Sequence, residues 1–402
     1  MSKPGLMPVE DALDQLLAMA DEQRLPDSES VPLNEARGRV LASDLLATLD
    51  LPPWPNSAMD GYALNLADLH RQPLSVSQRV YAGLAPDALL SSGTCARIFT
   101  GAPLPMGANC VEMQENVEVL EDGRVRFLQP LKVGQNIRAQ GQENRVGDTL
   151  LRAGKRLSPF ELAVVAGQGM THLPVVRRPR VALLSTGDEL VEPGQPLRPG
   201  SIYNSNRTLL DHWLRELGCE VIDAGILPDR PAQTRLKLEQ LQVAADLILT
   251  TGGVSAGDAD CLGQVLRDNG KPLLWKLAIK PGKPLTVGHF GTVPVIGLPG
   301  NPTSALVTFG LLARPYLLRI QGVEEVMPLS FTANAGFDWP KPGSRREYLR
   351  VRLEGGQAAL YPNQSSGVLL GATWADGLVE IPENSTLRVG DPLRFIPFSE
   401  LF

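Results

Sequence analysis

The 402-residue chain carries 38 Lys and Arg against 44 Asp and Glu, a formal net charge of −6. That balance argues against a dedicated nucleic-acid binder, whose domains are usually strongly basic. Apolar residues make up 43 % and charged residues 20 %, ordinary soluble usage, and no apolar run nears the ~20 residues of a membrane span. The 39 glycines and 34 prolines amount to about 18 % of the chain, against a usual ~12 %. They follow no period, which excludes collagen-like and low-complexity readings and implies many loops.

Length predicts about two to three domains. The start of the chain shows no charged n-region, apolar h-region or cleavage site, so a cytoplasmic location is expected. Cys95, Cys110, Cys219 and Cys261 lie far apart without a C-x-x-C, and His70, His172, His212 and His289 make no H-x-x-x-H pair. A disulfide framework and a Cys- or His-based metal cluster are therefore not expected.

In chain order, Val9, Leu13, Leu16, Leu17 and Ala20 form one apolar helical stripe. The prolines of Leu51–Asp60 forbid a helix and predict an extended connection. From about 75 to 135 the pattern is strand-like and turn-rich, as at Arg97–Thr100 and Val111–Gln114. Glu161–Gly167 reads as helical. Near residue 180 the pattern changes to alternating strands and helices. Val181–Leu184, Val221–Ala224, Asp246–Thr250 and Val293–Gly297 read as strands. One helix runs through Leu210, Trp213, Leu214 and Leu217 and another through Ala305, Leu306, Phe309 and Leu312. This order predicts a parallel α/β sheet. After about 326, Leu349, Val351 and Leu353 alternate with Tyr348, Arg350 and Arg352, a half-buried antiparallel strand pattern. A small β-barrel or sandwich of ~75 residues is predicted there.

Three of the apolar strands run into small-residue loops. These are Ser185-Thr186-Gly187-Asp188-Glu189, Thr250-Thr251-Gly252-Gly253-Val254-Ser255-Ala256-Gly257-Asp258, and Gly297-Leu298-Pro299-Gly300-Asn301-Pro302-Thr303-Ser304. In a parallel sheet all three lie at the carboxyl edge, where α/β ligands bind. Their glycines let backbone N–H groups approach an anion. Glycine-rich turns are also routine in such folds, and it is the set of three that points to a site. Neither a Walker nor a G-x-G-x-x-G pattern is present. Asn301 or Thr303 is expected to cap the helix that follows.

Lys276, Lys280 and Lys283 lie in a segment stiffened by two prolines and a glycine. They read either as point charges for phosphate or an oxyanion or as solvated surface lysines. Asp60, Asp188, Glu189, Asp229, Asp258 and Asp260 occupy loop positions, suited to Mg²⁺ or to local backbone hydrogen bonding. Arg177, Arg178 and Arg180 read as a solvated linker, and Cys261 as a small core residue.

Several segments resemble one family. They are Asn56-Ser57-Ala58-Met59-Asp60-Gly61-Tyr62-Ala63, Phe99-Thr100-Gly101-Ala102-Pro103-Leu104-Pro105, Ile137-Arg138 and Gly141-Gln142-Glu143. The three loops above and Lys280-Pro281-Gly282-Lys283-Pro284 join them. In this order they resemble the molybdopterin molybdenumtransferase family, bacterial molybdenum-insertion enzymes related to the E domain of gephyrin. The resemblance implies a multidomain α/β-plus-β fold. An elongated N-terminal domain spans 1–50 and 139–178, with a β-rich insertion over 51–138. A molybdopterin-binding α/β domain covers 179–325, and a C-terminal β-barrel covers 326–402. It also implies a homodimer with its cleft shared between subunits, and a transferase that consumes adenylylated molybdopterin and molybdate with Mg²⁺ and releases AMP. A molybdopterin-adenylylating enzyme and cofactor-receiving proteins are implied partners, with no nucleic acid and no membrane.

The same resemblance assigns catalytic positions to Asp60, Thr100, Arg138, Glu189, Asp229, Asp260, Lys276 and Lys280. It assigns ligand binding to Thr186, Gly187, Gly252, Gly253, Ser255, Gly257, Asp258, Lys283, Pro299, Gly300, Asn301 and, as a looser match, Ser366. Asp60, Glu189, Asp229 and Asp260 are the implied metal ligands. Two other classes stay open: a different enzyme on an adenylylated or nicotinamide compound that shares the α/β domain, and a gephyrin-like scaffold. Asp60 and Thr100, outside the α/β domain, speak against the first. The lack of a partner-binding linker speaks against the second.

Overall fold

The computed structural model describes residues 5–253 and 261–401. Ser255, Gly257, Asp258 and Asp260 therefore lie outside the described residues. Contacts divide the chain into two compact units. One comprises Met1–Ser43, Ala153–Leu162 and Thr171–Phe402; the other comprises Asp44–Arg152 and Ala163–Met170.

The first unit is built on a six-stranded sheet. Its order is Glu220–Leu227, Arg180–Thr186, Leu247–Thr251, Val293–Leu298, Pro284–Phe290, Gly270–Lys276. The first four strands pair in parallel, and each of the apolar runs read from the sequence is one of them. The three inner ones are covered on both faces, which is why they read as continuous apolar runs rather than alternating ones, while Glu220–Leu227 lies at the edge and is only partly buried. Val181 and Leu183 face one core with Leu249, Ile296 and helix residues Leu210, Trp213 and Leu214. Ala182 and Leu184 face the other, with Leu238, Leu241, Leu262 and Leu266. Alternate side chains on opposite faces are what the pleat requires.

The sheet is mixed rather than wholly parallel. Pro284–Phe290 pairs antiparallel with both of its neighbours. The connection Gly291-Thr292 before Val293 leaves only two residues, and so short a link can join only antiparallel strands. The predicted N-terminal helix spans Val9–Glu22 and buries Val9, Ala12, Leu16, Met19 and Ala20 against the first core.

Five strands near the C-terminus close into a barrel. Arg346–Glu354 pairs with Gln357–Leu360, then follow Phe331–Ala335, Pro392–Pro397 and Gly377–Ile381, which pairs back to Arg346–Glu354. Leu349, Val351, Val379 and Phe395 fill the interior. The alternation in Arg346–Glu354 predicts a half-buried strand, and here the structure differs. Tyr348 is 4 % exposed and Arg350 0 %. Tyr348 packs into the α/β core with Leu378 and Ile396, so the outer barrel face is covered too. Arg350 is buried because it donates to the carbonyls of Asn363 at 2.8 Å and Ser365 at 3.0 Å, and also to the Val368 carbonyl.

The Arg177–Arg180 stretch also differs from a solvated linker. Arg177 clamps Asp246 through two nitrogens at 2.7 and 2.9 Å, and Arg180 reaches the same carboxylate. Arg178 donates to the Gly218 carbonyl. Cys261 is buried, as a small core residue should be.

The second unit centres on a four-stranded sheet, ordered Ser75–Val80, Thr94–Ile98, Gly61–Leu64, Cys110–Met113. Tyr62 and Leu64 face one apolar cluster and Ala63 the other. A short pair, Asn56–Ser57 with Ile137–Arg138, leads into this sheet. The segment 51–60 contains no helix, as its prolines require.

Candidate active site

The carboxyl edge of the six-stranded sheet opens into a cavity of about 930 Å³. Ligands bind at this edge in α/β folds because strand ends and helix starts expose backbone groups there. Thr186 and Gly187 end the strand Arg180–Thr186 and line the cavity together with Glu189. At Gly187 (φ +150) an added Cβ would lie 2.7 Å from a Glu189 carboxylate oxygen. The missing side chain is what lets that carboxylate fold over the loop.

Gly252 follows the strand Leu247–Thr251 with φ +88, and an added Cβ would lie 2.2 Å from the Thr186 carbonyl oxygen. Only glycine allows the two loops to approach so closely at that dihedral. Gly252 also donates its N–H to the Leu298 carbonyl at 3.1 Å. Pro299, Gly300 and Asn301 follow the third strand and line the cavity with Gly253. Asn206 ties this floor together: its amide donates to the Thr251 hydroxyl at 3.0 Å and to the Gly300 carbonyl at 2.7 Å.

Lys276 and Lys283 also line the cavity. Lys276 ends one strand and is in register with Pro284, which starts the antiparallel neighbour. The Leu277 N–H donates to the Lys283 carbonyl at 2.7 Å. The strand reversal therefore delivers both ammonium groups to the same edge of the sheet. Lys280 is different. It is not among the lining residues, and its ammonium donates to Glu347, a nearly buried carboxylate, at 2.9 Å.

The acidic side of the cavity is Glu189 and Asp229, with Asp188 nearby: the Asp229 N–H donates to an Asp188 carboxylate oxygen at 3.3 Å. Partial burial, followed by repulsion from Glu189 and Asp188, raises the Asp229 carboxyl above its ordinary range. One buried oxygen of Asp229 has no hydrogen-bond partner. An unpartnered oxygen beside like charges fits a cation better than it fits the protein alone. Among the described residues no group of three or more His, Cys, Asp or Glu is placed to hold a metal. The carboxylates lining the cavity are thus two, Glu189 and Asp229.

Asn301 and Thr303 do not cap the helix Pro302–Thr308 through their side chains. The Asn301 amide donates to the Ser366 hydroxyl at 3.0 Å, and the Thr303 hydroxyl donates to the Val368 carbonyl at 3.0 Å. The Thr303 N–H donates to the Ser366 carbonyl at 3.0 Å. Ser366 thus anchors the third loop, and Gly367 beside it lines the cavity.

In the second unit, Thr100 donates to Asp60 through both its N–H and its hydroxyl. Arg138 is exposed and in register with Asn56. Sequence reasoning missed Ile202, Tyr203, Asn204 and Asn206, which also line the cavity. Asn204 caps the helix Ser205–Glu216 by accepting from the Arg207 N–H. Asn-Ser-Asn ahead of an apolar helical stripe is a helix-start signal that could have marked this wall.

A predominantly parallel sheet with three small-residue loops, two lysines and a carboxylate pair around one cleft defines a small-molecule enzyme of the α/β class. Models of known families match along nearly the whole chain: "MoeA N-terminal region (domain I and II)" over residues 7–169, "Probable molybdopterin binding domain" over 182–319, and "MoeA C-terminal region (domain IV)" over 332–398. A molybdopterin molybdenumtransferase of Haemophilus influenzae is 41 % identical over 343 residues, 84 % of this chain and 85 % of that one. Its counterpart in Nostoc sp. is 36 % identical, over 95 % of this chain and 91 % of that one. The crystal structure of a molybdopterin biosynthesis moeA protein from Pyrococcus horikoshii OT3 superposes with a TM-score of 0.85 at 30 % identity, covering 98 % of this chain and all of that one. The chain belongs to the molybdopterin molybdenumtransferase family.

Proposed function

We propose that this transferase inserts molybdenum into adenylylated molybdopterin, consuming molybdate and releasing AMP to form molybdenum cofactor. The observation that carries the reading is the pairing of Lys276 and Lys283 with Glu189 and Asp229 around one cavity of about 930 Å³. The substrates are both anions, so their meeting needs fixed positive charge. Lys276 and Lys283 supply it as point charges toward the phosphoanhydride and the oxyanion.

Oxygen leaving molybdate departs as water and needs protons. Asp229, held above the ordinary carboxylate range, keeps a proton to higher pH than a solvated aspartate does. Its protonated form is suited to donate one, and only its ionised form could take part in holding a cation. Mg²⁺ would be held by Glu189 and Asp229 and would offset phosphate charge. Lys280, anchored on Glu347, acts by stiffening the segment between the two cavity lysines.

Asp60, Thr100 and Arg138 enter this reading as groups supplied by a second copy of the chain, which makes a homodimer the working assembly. Sedimentation of the full chain tests that assembly, and a monomer at working concentration would remove these three residues from the site. The reaction itself is tested by incubating the protein with adenylylated molybdopterin, Mg²⁺ and molybdate. AMP release stimulated by molybdate is expected; release indifferent to molybdate overturns the assignment.

A further inference from the structure

The cavity has one wall that the charge chemistry leaves unused. Ile202–Tyr203 pairs in parallel with Leu190–Val191. The Ile202 N–H donates to the Glu189 carbonyl at 2.8 Å, and the Asn204 N–H donates to the Val191 carbonyl at 3.0 Å. Backbone bonds on both sides therefore fix the position of Tyr203. Leu190, Ile202 and Tyr203 all line the cavity, yet Ile202 is 56 % and Tyr203 43 % exposed. Single exposed apolar side chains carry no message. Two adjacent ones inside a concave, otherwise charged site leave apolar area that a ligand removes from water.

The Tyr203 hydroxyl donates to the Gln195 carbonyl at 3.0 Å. That bond occupies the polar tip and tethers the ring at its far end. What remains for a ligand is the π-face, which prefers offset contact with another flat ring.

We infer that Tyr203 is the stacking platform for a planar, nitrogen-rich heteroaromatic ring of the substrate, and so a specificity-determining residue of the site. The inference rests on the proposed reaction, whose substrate carries two such rings, a pterin and an adenine. The ring takes the apolar wall, and Lys276 and Lys283 take the anhydride. Removing an aromatic platform from under a base lowers affinity by about tenfold or more.

The test is calorimetric titration of the full chain with AMP and, separately, with pterin. Wild type, Tyr203→Ala and Tyr203→Phe are compared, with thermal melts to establish that each is folded. Tyr203→Ala is expected to weaken one probe by about tenfold or more, with Tyr203→Phe recovering most of the loss. The probe that weakens identifies the ring that stacks. Unchanged affinity of Tyr203→Ala for both probes overturns the inference. So does an equal loss in Tyr203→Phe, which would assign the effect to the Gln195 tether. Molybdate-stimulated AMP release by wild type is scored on its own, so failure of the reaction and failure of the platform are separate results.

Discussion

Thr100 donates its backbone N–H at 2.7 Å and its hydroxyl at 2.8 Å to one and the same oxygen of Asp60, Oδ1. Two donors on one oxygen favour the charged form. The Thr100 N–H contributes most, then its hydroxyl, with Arg97 adding attraction, and together they hold the Asp60 carboxyl below its ordinary range. The folded-state value being depressed, the interaction is intact above the ordinary carboxylate pKa and is lost as pH falls through the lower one. Thr100→Ala removes the hydroxyl and leaves the N–H. Carboxyl-carbon NMR should then show Asp60 titrating higher than in wild type, but still below a solvated aspartate. An unmoved titration would show that the hydroxyl contributes nothing. Asp60→Asn should cost about 100-fold or more in AMP release if Asp60 handles a proton.

Asp229 behaves in the opposite sense. Its carboxyl is raised by burial and by the nearby Glu189 and Asp188, so the folded state disfavours its charge. That cost is absent below the ordinary carboxylate pKa and complete above the raised one. Asp229→Asn is therefore expected to melt above wild type at neutral pH, with the difference vanishing near about pH 3, while AMP release is lost. Millimolar Mg²⁺ should raise the melting temperature of wild type more than that of the variant. Equal melting temperatures across the pH range would show that Asp229 carries no electrostatic strain.

Lys280 and Glu347 form a pair whose acid is nearly buried while its lysine is half exposed. Removing the lysine leaves the carboxylate desolvated and unpaired, which costs more than removing both. Lys280→Ala should lose about 1–2 kcal/mol of stability. Adding Glu347→Gln should restore part of it in a double-mutant cycle by urea unfolding. If AMP release recovers along with stability, Lys280 acts through the fold. Persistent loss of release in a restored protein would place its ammonium on the reaction path.

Gly252→Ala combines a φ of +88 with a Cβ directed at the Thr186 carbonyl oxygen, 2.2 Å away. The blocking atom is backbone, so no side-chain motion relieves it. A loss of about 2–3 kcal/mol is expected, together with loss of AMP binding by calorimetry. Thr186→Ala should not rescue it, since the clash survives removal of the side chain. Wild-type stability in Gly252→Ala would mean the two loops move apart freely.

Much of the architecture was legible because parallel strands buried on both faces must be apolar runs, and each of those runs is followed by glycine. Long-range pairings were not legible. Nothing near Arg350 in sequence announces that its guanidinium serves carbonyls 13 and 15 residues on; its charge suggested solvent. Lys280 finds its partner 67 residues away, so its proline-stiffened segment could not reveal that it faces Glu347. The antiparallel strand Pro284–Phe290 was hidden because a Lys- and Pro-rich lead-in masked an otherwise buried run. Tyr203 carries no motif, and only the turn that sets it against Leu190–Val191 gives it a role.

The strand Arg346–Glu354 lends one face to the barrel interior through Leu349 and Val351 and the other to the α/β core through Tyr348. Leu378 and Ile396 of the adjoining barrel strands repeat the pattern. Cutting the barrel away would thus strip a wall from the α/β domain and flood its core with solvent. The two are separable on a diagram of the chain, yet they share one core. A substitution at Tyr348, Leu378 or Ile396 is consequently a substitution in the α/β core as well.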